Sequence, residues 1–158
     1  MTDDTPDQLL PELDRLDPWS FWVAAGDGFA VDRIVIGTTG AFLLLASQDE
    51  GYMNVSLGRV KIGGVPVASV RSLKRKARKL KSKLHGMAVY TDVEAVICAT
   101  NAILGSPKKV KGVWVAKPAD VVKVISRRAN VIQRQTAKRA AQAFGAMNRS
   151  VRPDARES

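Results

Sequence analysis

A chain of 158 residues with 46% apolar and 25% charged side chains is long enough to bury the core of one domain. Its longest uncharged apolar run, around Phe42–Ser47, falls far short of the ~20 residues that a membrane-spanning helix needs. The formal charge of +10 favours anionic partners, and a single cysteine, Cys98, excludes an intramolecular disulfide.

The charge is unevenly placed. Residues 1–17 hold six acids (Asp3, Asp4, Asp7, Glu12, Asp14, Asp17) against Arg15, which leaves 24 bases against nine acids in the rest of the chain, a formal +15. Met1–Pro18 therefore reads as a flexible acidic arm with at most one short helix. No basic start leads into an apolar stretch, so no signal peptide is expected. With one thiol and no leader, a reducing cytoplasm is the expected setting.

Trp19–Val23 is the first element packed on the core, followed by a turn at Ala24–Gly28. Val31–Gln48 (VDRIVIGTTGAFLLLASQ) reads as two strands joined across Gly37–Gly40, because its apolar runs are too short for helices. Tyr52–Leu57 alternates like a half-exposed strand, and Gly63-Gly64 marks a hairpin turn within Arg59–Val67. Over Val70–Leu84 the period changes. Val70, Leu73, Ala77, Leu80 and Leu84 form one apolar stripe on a helix, which His85-Gly86 ends with glycine at the C-cap.

Val89–Ala99 reads as a central strand, with Cys98 buried and inert inside it. Asn101–Lys111 reads as a polar loop and Val113–Ala116 as a short strand. A helix opens at Pro118 and runs to about Ser126. A last helix spans Val131–Met147, with Ile132, Thr136, Ala140, Ala143, Phe144 and Met147 as its apolar positions, and a basic tail follows from Asn148. The expected fold is α/β: one small domain with a mixed β-sheet flanked by helices, spanning 19–128 between the acidic arm 1–18 and a basic C-terminal helix and tail 129–158.

Phe29–Gln48 resembles the centre of the nuclease-related domain family, whose fold is restriction-endonuclease-like. The resemblance rests on Val31-Asp32-Arg33-Ile34-Val35-Ile36-Gly37-Thr38-Thr39-Gly40-Ala41-Phe42. The later order also fits: a basic helix, an apolar strand, a Gly-Val-Trp-Val strand and an Ala-Asp-Val-Val helix, so that the likeness covers roughly residues 20–126. In that family the aspartate, a second acid and a lysine act together. The two carboxylates hold a divalent metal, and the lysine orients or activates water.

Counted from Phe42, the acid position falls on Leu45 and the lysine position on Ser47. A hard cation wants oxygen ligands, and neither residue supplies the missing chemistry. Asp32 is thus read as vestigial, with no catalytic residue, metal or cofactor expected. The alternative is a nuclease with a migrated site that uses Mg²⁺ or Mn²⁺. It would combine Asp32 with Asp49 or Glu50 and a lysine such as Lys61; in the family pattern, an upstream acid on the first helix would fall on Glu12 or Asp17.

Arg71–Lys83 (RSLKRKARKLKSK) carries eight basic residues and no acid. Arg71, Lys74, Arg75, Lys76, Arg78, Lys79, Lys81 and Lys83 repel one another on one helix, so an anionic partner is expected to stabilise it. Lys108, Lys109, Lys111, Arg127, Arg128, Arg134, Lys138 and Arg139 extend the charge, and they join it in one groove if the last helix lies beside the first. The expected partner is nucleic acid, DNA or RNA, held by its backbone, or else an acidic protein. A third possibility is an assembly protein anchored by its basic tail. Trp19, Phe21, Trp22 and Trp114 are assigned to the core, and Tyr52 and Tyr90 are given no role. No phosphate-binding loop forms around Gly58, Gly63 and Gly64, and no Cys/His set suits zinc.

Overall fold

A computed structural model describes residues 9–146; the first eight residues of the acidic arm, Met147 and the tail from Asn148 lie outside the described residues. The chain is α/β, with two mixed sheets flanked by helices. The main sheet has six strands: β1 (Phe21–Ala25), β2 (Arg33–Gly37), β3 (Gly40–Ser47), β7 (Val93–Ala99), β10 (Val113–Ala116) and β9 (Lys108–Val110), in that spatial order. β1, β2 and β3 form an antiparallel meander, β3, β7 and β10 run parallel, and β9 returns antiparallel at the edge.

Both faces of this sheet are covered. Helices α2 (Val70–Gly86) and α4 (Arg134–Ala143) pack on one face, with Ile34, Ile36, Leu43 and Ile97 beneath them. On the other face, α1 (Leu9–Leu13) and α3 (Pro118–Ser126) cover Val35, Phe42, Leu44 and Val96. Two covered faces explain why Ala41 to Leu44 are all buried and why these strands read as unbroken apolar runs rather than alternating ones.

The second sheet grows out of the first. Thr100 N–H donates to Ser47 O and the Asn101 side chain to Gln48 O, which holds the ends of β3 and β7 together. Beyond that break the same parallel pair resumes as β4 (Gly51–Ser56) and β8 (Ala102–Ile103), and β5 (Arg59–Ile62) and β6 (Val65–Ser69) add to β4. Gly63 at the β5–β6 turn has φ +61°, and a Cβ there would collide with the Glu50 carbonyl, so the fold-over requires glycine. Only one face of this sheet meets the core, through Val60, Ile62 and Met53, and β4 alternates accordingly. Among the described residues no helix is long and apolar enough to cross a membrane.

Helix α2 carries the expected stripe, with Val70, Leu73, Ala77, Leu80 and Leu84 all buried. Ser69 caps it by accepting from Ser72 N–H. Gly86 is not the left-handed residue at its end, however. Ala88 takes that conformation, with φ 62°; its N–H reaches His85 O, and Val89 N–H reaches Leu84 O.

Other expectations need correction. The arm is anchored rather than flexible where it is described, since Leu13 and Leu16 are buried against the α3 face. Hydrophobic burial at two leucines outweighs the mutual repulsion of the acids, of which Asp14 and Asp17 stay exposed and Glu12 pairs with Arg15. The strand expected over Val89–Ala99 begins only at Val93, and the expected loop Asn101–Lys111 contains β8 and β9. The last helix is shorter than Val131–Met147, and it buries Ala137, Ala140 and Ala141 while Ala143 is exposed. Trp19 is 55% exposed, not core; the Arg134 guanidinium lies 4.2 Å from its ring centroid and donates through Nε to Trp19 O.

Candidate nucleic-acid interface

Asp32 sits where β2 curls away from β3. Its own N–H donates to Leu44 O, and its carboxylate Oδ2 accepts from Ala46 N–H at 2.7 Å. The side chain thus replaces the backbone acceptor that β2 no longer supplies. Leu45 packs into the core beneath α2 and offers only hydrocarbon. Ser47 is buried, and its hydroxyl closes a local turn with Asp49, donating to Oδ2 and accepting from the Asp49 N–H.

Glu50 is exposed. Lys61 lies between inward-facing Val60 and Ile62, and it makes no ion pair among the described residues. Glu12 and Asp32 both act on the buried Cys98 thiol. Burial first, then these two carboxylates, push its pKa up to about 12, so the thiol stays protonated and inert as expected. Asp17 is spent on its own turn, accepting from Trp19 N–H and the Ser20 hydroxyl. Among the described residues no group of three or more His, Cys, Asp or Glu side chains converges. A carboxylate already hydrogen-bonded to the backbone, with leucine at the second acid position, does not fit the hard divalent cation that the family resemblance implies.

The other end of the same hairpin is the busier one. Thr38 N–H donates to Ser20 O, and Thr38 O accepts from Val131 and Ile132 N–H. The buried Thr39 hydroxyl donates to Ile125 O at 2.7 Å. The turn between β2 and β3 therefore ties down the start of β1, the end of α3 and the approach to α4.

At about 100° per residue, the bases of α2 fall into two flanks beside the buried stripe. Lys76, Lys79 and Lys83 face α4. Lys76 Nζ donates to Ala30 O, while Lys79 and Lys83 stand 5.6 and 5.9 Å from the Phe29 ring, which in turn meets Phe144. Arg71, Lys74, Arg78 and Lys81 face the β9–β10 turn, and Arg75 stands exposed on the crest between the flanks.

A groove follows the second flank in three contiguous parts. The first is lined by Gly58, Val70, Arg71, Lys74, Arg78 and Lys111, four cations with no acid. The second shares Lys74 and Arg78 with it and adds Lys81, Lys109 and the amino ends of β7 and β10. The third continues from Lys81 to His85, Tyr90 and Arg128.

Several expected ligands are already engaged. Glu94, an acid in an apolar strand, accepts from Arg128 Nη2 at 2.6 Å, Trp114 Nε1 at 2.9 Å and Lys109 Nζ at 3.3 Å. Lys81 pairs with Asp92 at 2.9 Å; that hydrogen bond, then the lysine's charge, holds the Asp92 carboxyl below its usual range. Arg139 donates to Met87 O. Arg134 is held on Trp19. Arg127 follows α3 on the opposite face of the sheet, Lys108 is exposed on β9, and Lys138 is half-buried on α4.

The cations that form no ion pair along the groove and crest are Arg71, Lys74, Arg75, Arg78 and Lys111, among the described residues. Arg59 was not singled out from sequence. It pairs with Ser69 across β5–β6, and Gly58 O accepts from Val70 N–H, which sets Arg59 beside the start of α2. Neither a family model, nor a curated protein, nor a solved structure matches this chain.

Proposed function

We propose that this chain is a catalytically silent relative of the nuclease-related domain family that binds nucleic acid along α2. The observation that carries the proposal is the acid-free row Arg71, Lys74, Arg78 and Lys111 lining one groove. Cations spaced three and four residues apart on a helix stand in a line, which suits a linear polyanion better than the irregular charge of a folded acidic protein. The order of α2, β7, β10 and α3 along the chain supports the kinship, as does the intact hairpin from Val31 to Phe42. The hydrogen bond from Ala46 N–H to Asp32 and the leucine at position 45 support the loss of chemistry. The C-terminal segment has a reduced part in this proposal, since Arg128, Arg134 and Arg139 are engaged within the fold. A reducing, cytoplasmic setting belongs to the same proposal and is supported by the single protonated thiol.

The test is a cleavage assay with Mg²⁺ or Mn²⁺ on supercoiled, linear and single-stranded substrates, run beside a binding titration under the same conditions. Binding without cleavage is expected. Cleavage that disappears in Asp32→Ala would overturn the catalytic silence, and absence of binding to every substrate would overturn the assignment of nucleic acid.

A further inference from the structure

The groove beside α2 changes character along its length. Its first part is purely cationic, whereas its last part mixes Lys81, Arg128, Asp92 and Glu94 with His85 and Tyr90. Tyr90 lies between Val89 and Thr91, both buried, and extended alternation turns its ring outward, leaving it 70% exposed. His85, at the end of α2, packs against the ring in a T-shaped arrangement with centroids 5.3 Å apart, which restrains its orientation. An aromatic ring held in place, largely exposed and sited at the end of a row of cations has no packing role to account for it.

We propose that Tyr90 is a stacking platform for an unpaired base, so that the ligand of the groove is single-stranded nucleic acid. This rests on the nucleic-acid reading above and narrows it to a substrate class. Arg71 to His85 spans 14 residues, about 21 Å along the helix axis, which places the phosphate-binding cations and the ring within one stretch of strand. The π-faces of bases in a duplex are covered by their neighbours, and only a splayed or single-stranded base presents one to a protein aromatic.

The acids at this end are consistent with that division of labour. Asp92 and Glu94 offset Lys81, Lys109 and Arg128, which leaves this end with less free positive charge for phosphate than the first part, and Asp92 is exposed enough to accept a base N–H. The cleft around the ring has a volume of 550 Å³, within the ~300–1,000 Å³ range of sites that seat small molecules.

The experiment is a fluorescence-anisotropy titration of the full chain with a labelled single-stranded oligonucleotide and with a duplex of the same length. It compares the wild type with Tyr90→Ala, Tyr90→Phe and the double variant Lys74→Glu/Arg78→Glu. Tyr90→Ala is expected to weaken single-strand binding by about 5- to 150-fold, the cost of one stacked base. Its duplex affinity stays within twofold, and Tyr90→Phe keeps the wild-type preference. The charge reversal weakens both ligands.

If Tyr90→Ala binds single strands within twofold of wild type while the charge reversal weakens binding, the platform is overturned and the basic groove stands. Equal losses on single strand and duplex in Tyr90→Ala overturn the platform too. If the charge reversal leaves both affinities unchanged, the nucleic-acid reading itself falls.

Discussion

Asp32 illustrates how a carboxylate placed where a metal ligand is expected can have a purely structural part. A carboxylate at the start of a strand suggests a metal ligand, but here its oxygen closes the β2–β3 ladder after β2 has left it. Removing it leaves a half-buried N–H without a partner. Asp32→Ala is therefore expected to cost about 1–3 kcal/mol, and Asp32→Asn, which retains a carbonyl acceptor, distinctly less. Urea denaturation of the two variants checks this; equal losses would show that the hydrogen bond to Ala46 is not what the carboxylate contributes. The hydrogen bond was not legible in the sequence, because it depends on the point at which two strands part. That positions 45 and 47 hold leucine and serine, with neither a carboxylate nor a charge, was legible by counting.

Among the elements, α2 was the most legible and α4 the least. Four branched apolar residues and Ala77 at helical spacing define one face of α2 without ambiguity, and all five are buried there. Within Arg134–Ala143 the apolar residues of α4 are all alanines, which look alike at any phase, so of the expected positions there Ala140 is buried, Ala143 is not, and Ala137 and Ala141 join it. Strand β8 was missed because its two residues are held by a partner distant in sequence, and β9 because its three residues are mostly lysine and show no apolar pattern. The division of the α2 bases into flanks follows from the helical angle. What each flank faces does not, and neither does the capture of Lys109 and Arg128 by Glu94. An acid in the middle of an apolar strand was the available signal, because a charge taken out of water needs partners.

The end of α2 also carries a local cost. Ala88 adopts the left-handed conformation that favours glycine. Ala88→Gly is expected to stabilise the fold by about 0.5–1 kcal/mol, since the strain at Cβ exceeds the added entropy of the unfolded chain. Thermal unfolding checks this, and a fall in stability would show that the Ala88 methyl is packed to advantage.

At the scale of the molecule, the described acidic arm and the unpaired cations of α2 are held on opposite faces of the main sheet. The described part of the acidic arm is fixed against α3 by Leu13 and Leu16, while the unpaired cations line the far side of the sheet along α2. Residues 9–17 therefore cannot mask the groove, a consequence that the acidic composition of the arm concealed. The surplus of +15 beyond residue 17 is likewise not one surface. Part of it is spent on Glu94, Asp92 and backbone carbonyls, and the fraction left for a partner is concentrated at Arg71, Lys74, Arg75, Arg78 and Lys111.

If those cations neutralise phosphates, affinity must depend on salt in proportion to their number. Each contact contributes about 0.7 to the slope of log K against log salt for a single strand and about 0.9 for a duplex. The most direct measurement is that slope for the wild type and for Lys74→Glu/Arg75→Glu/Arg78→Glu. The wild type is expected to show a slope near −3 on a single strand for four or five phosphate contacts. The triple variant should lose at least two-thirds of that slope while its thermal transition stays close to that of the wild type. A wild-type slope near zero, or one that the triple variant leaves unchanged, would contradict the assignment of α2 as the nucleic-acid interface.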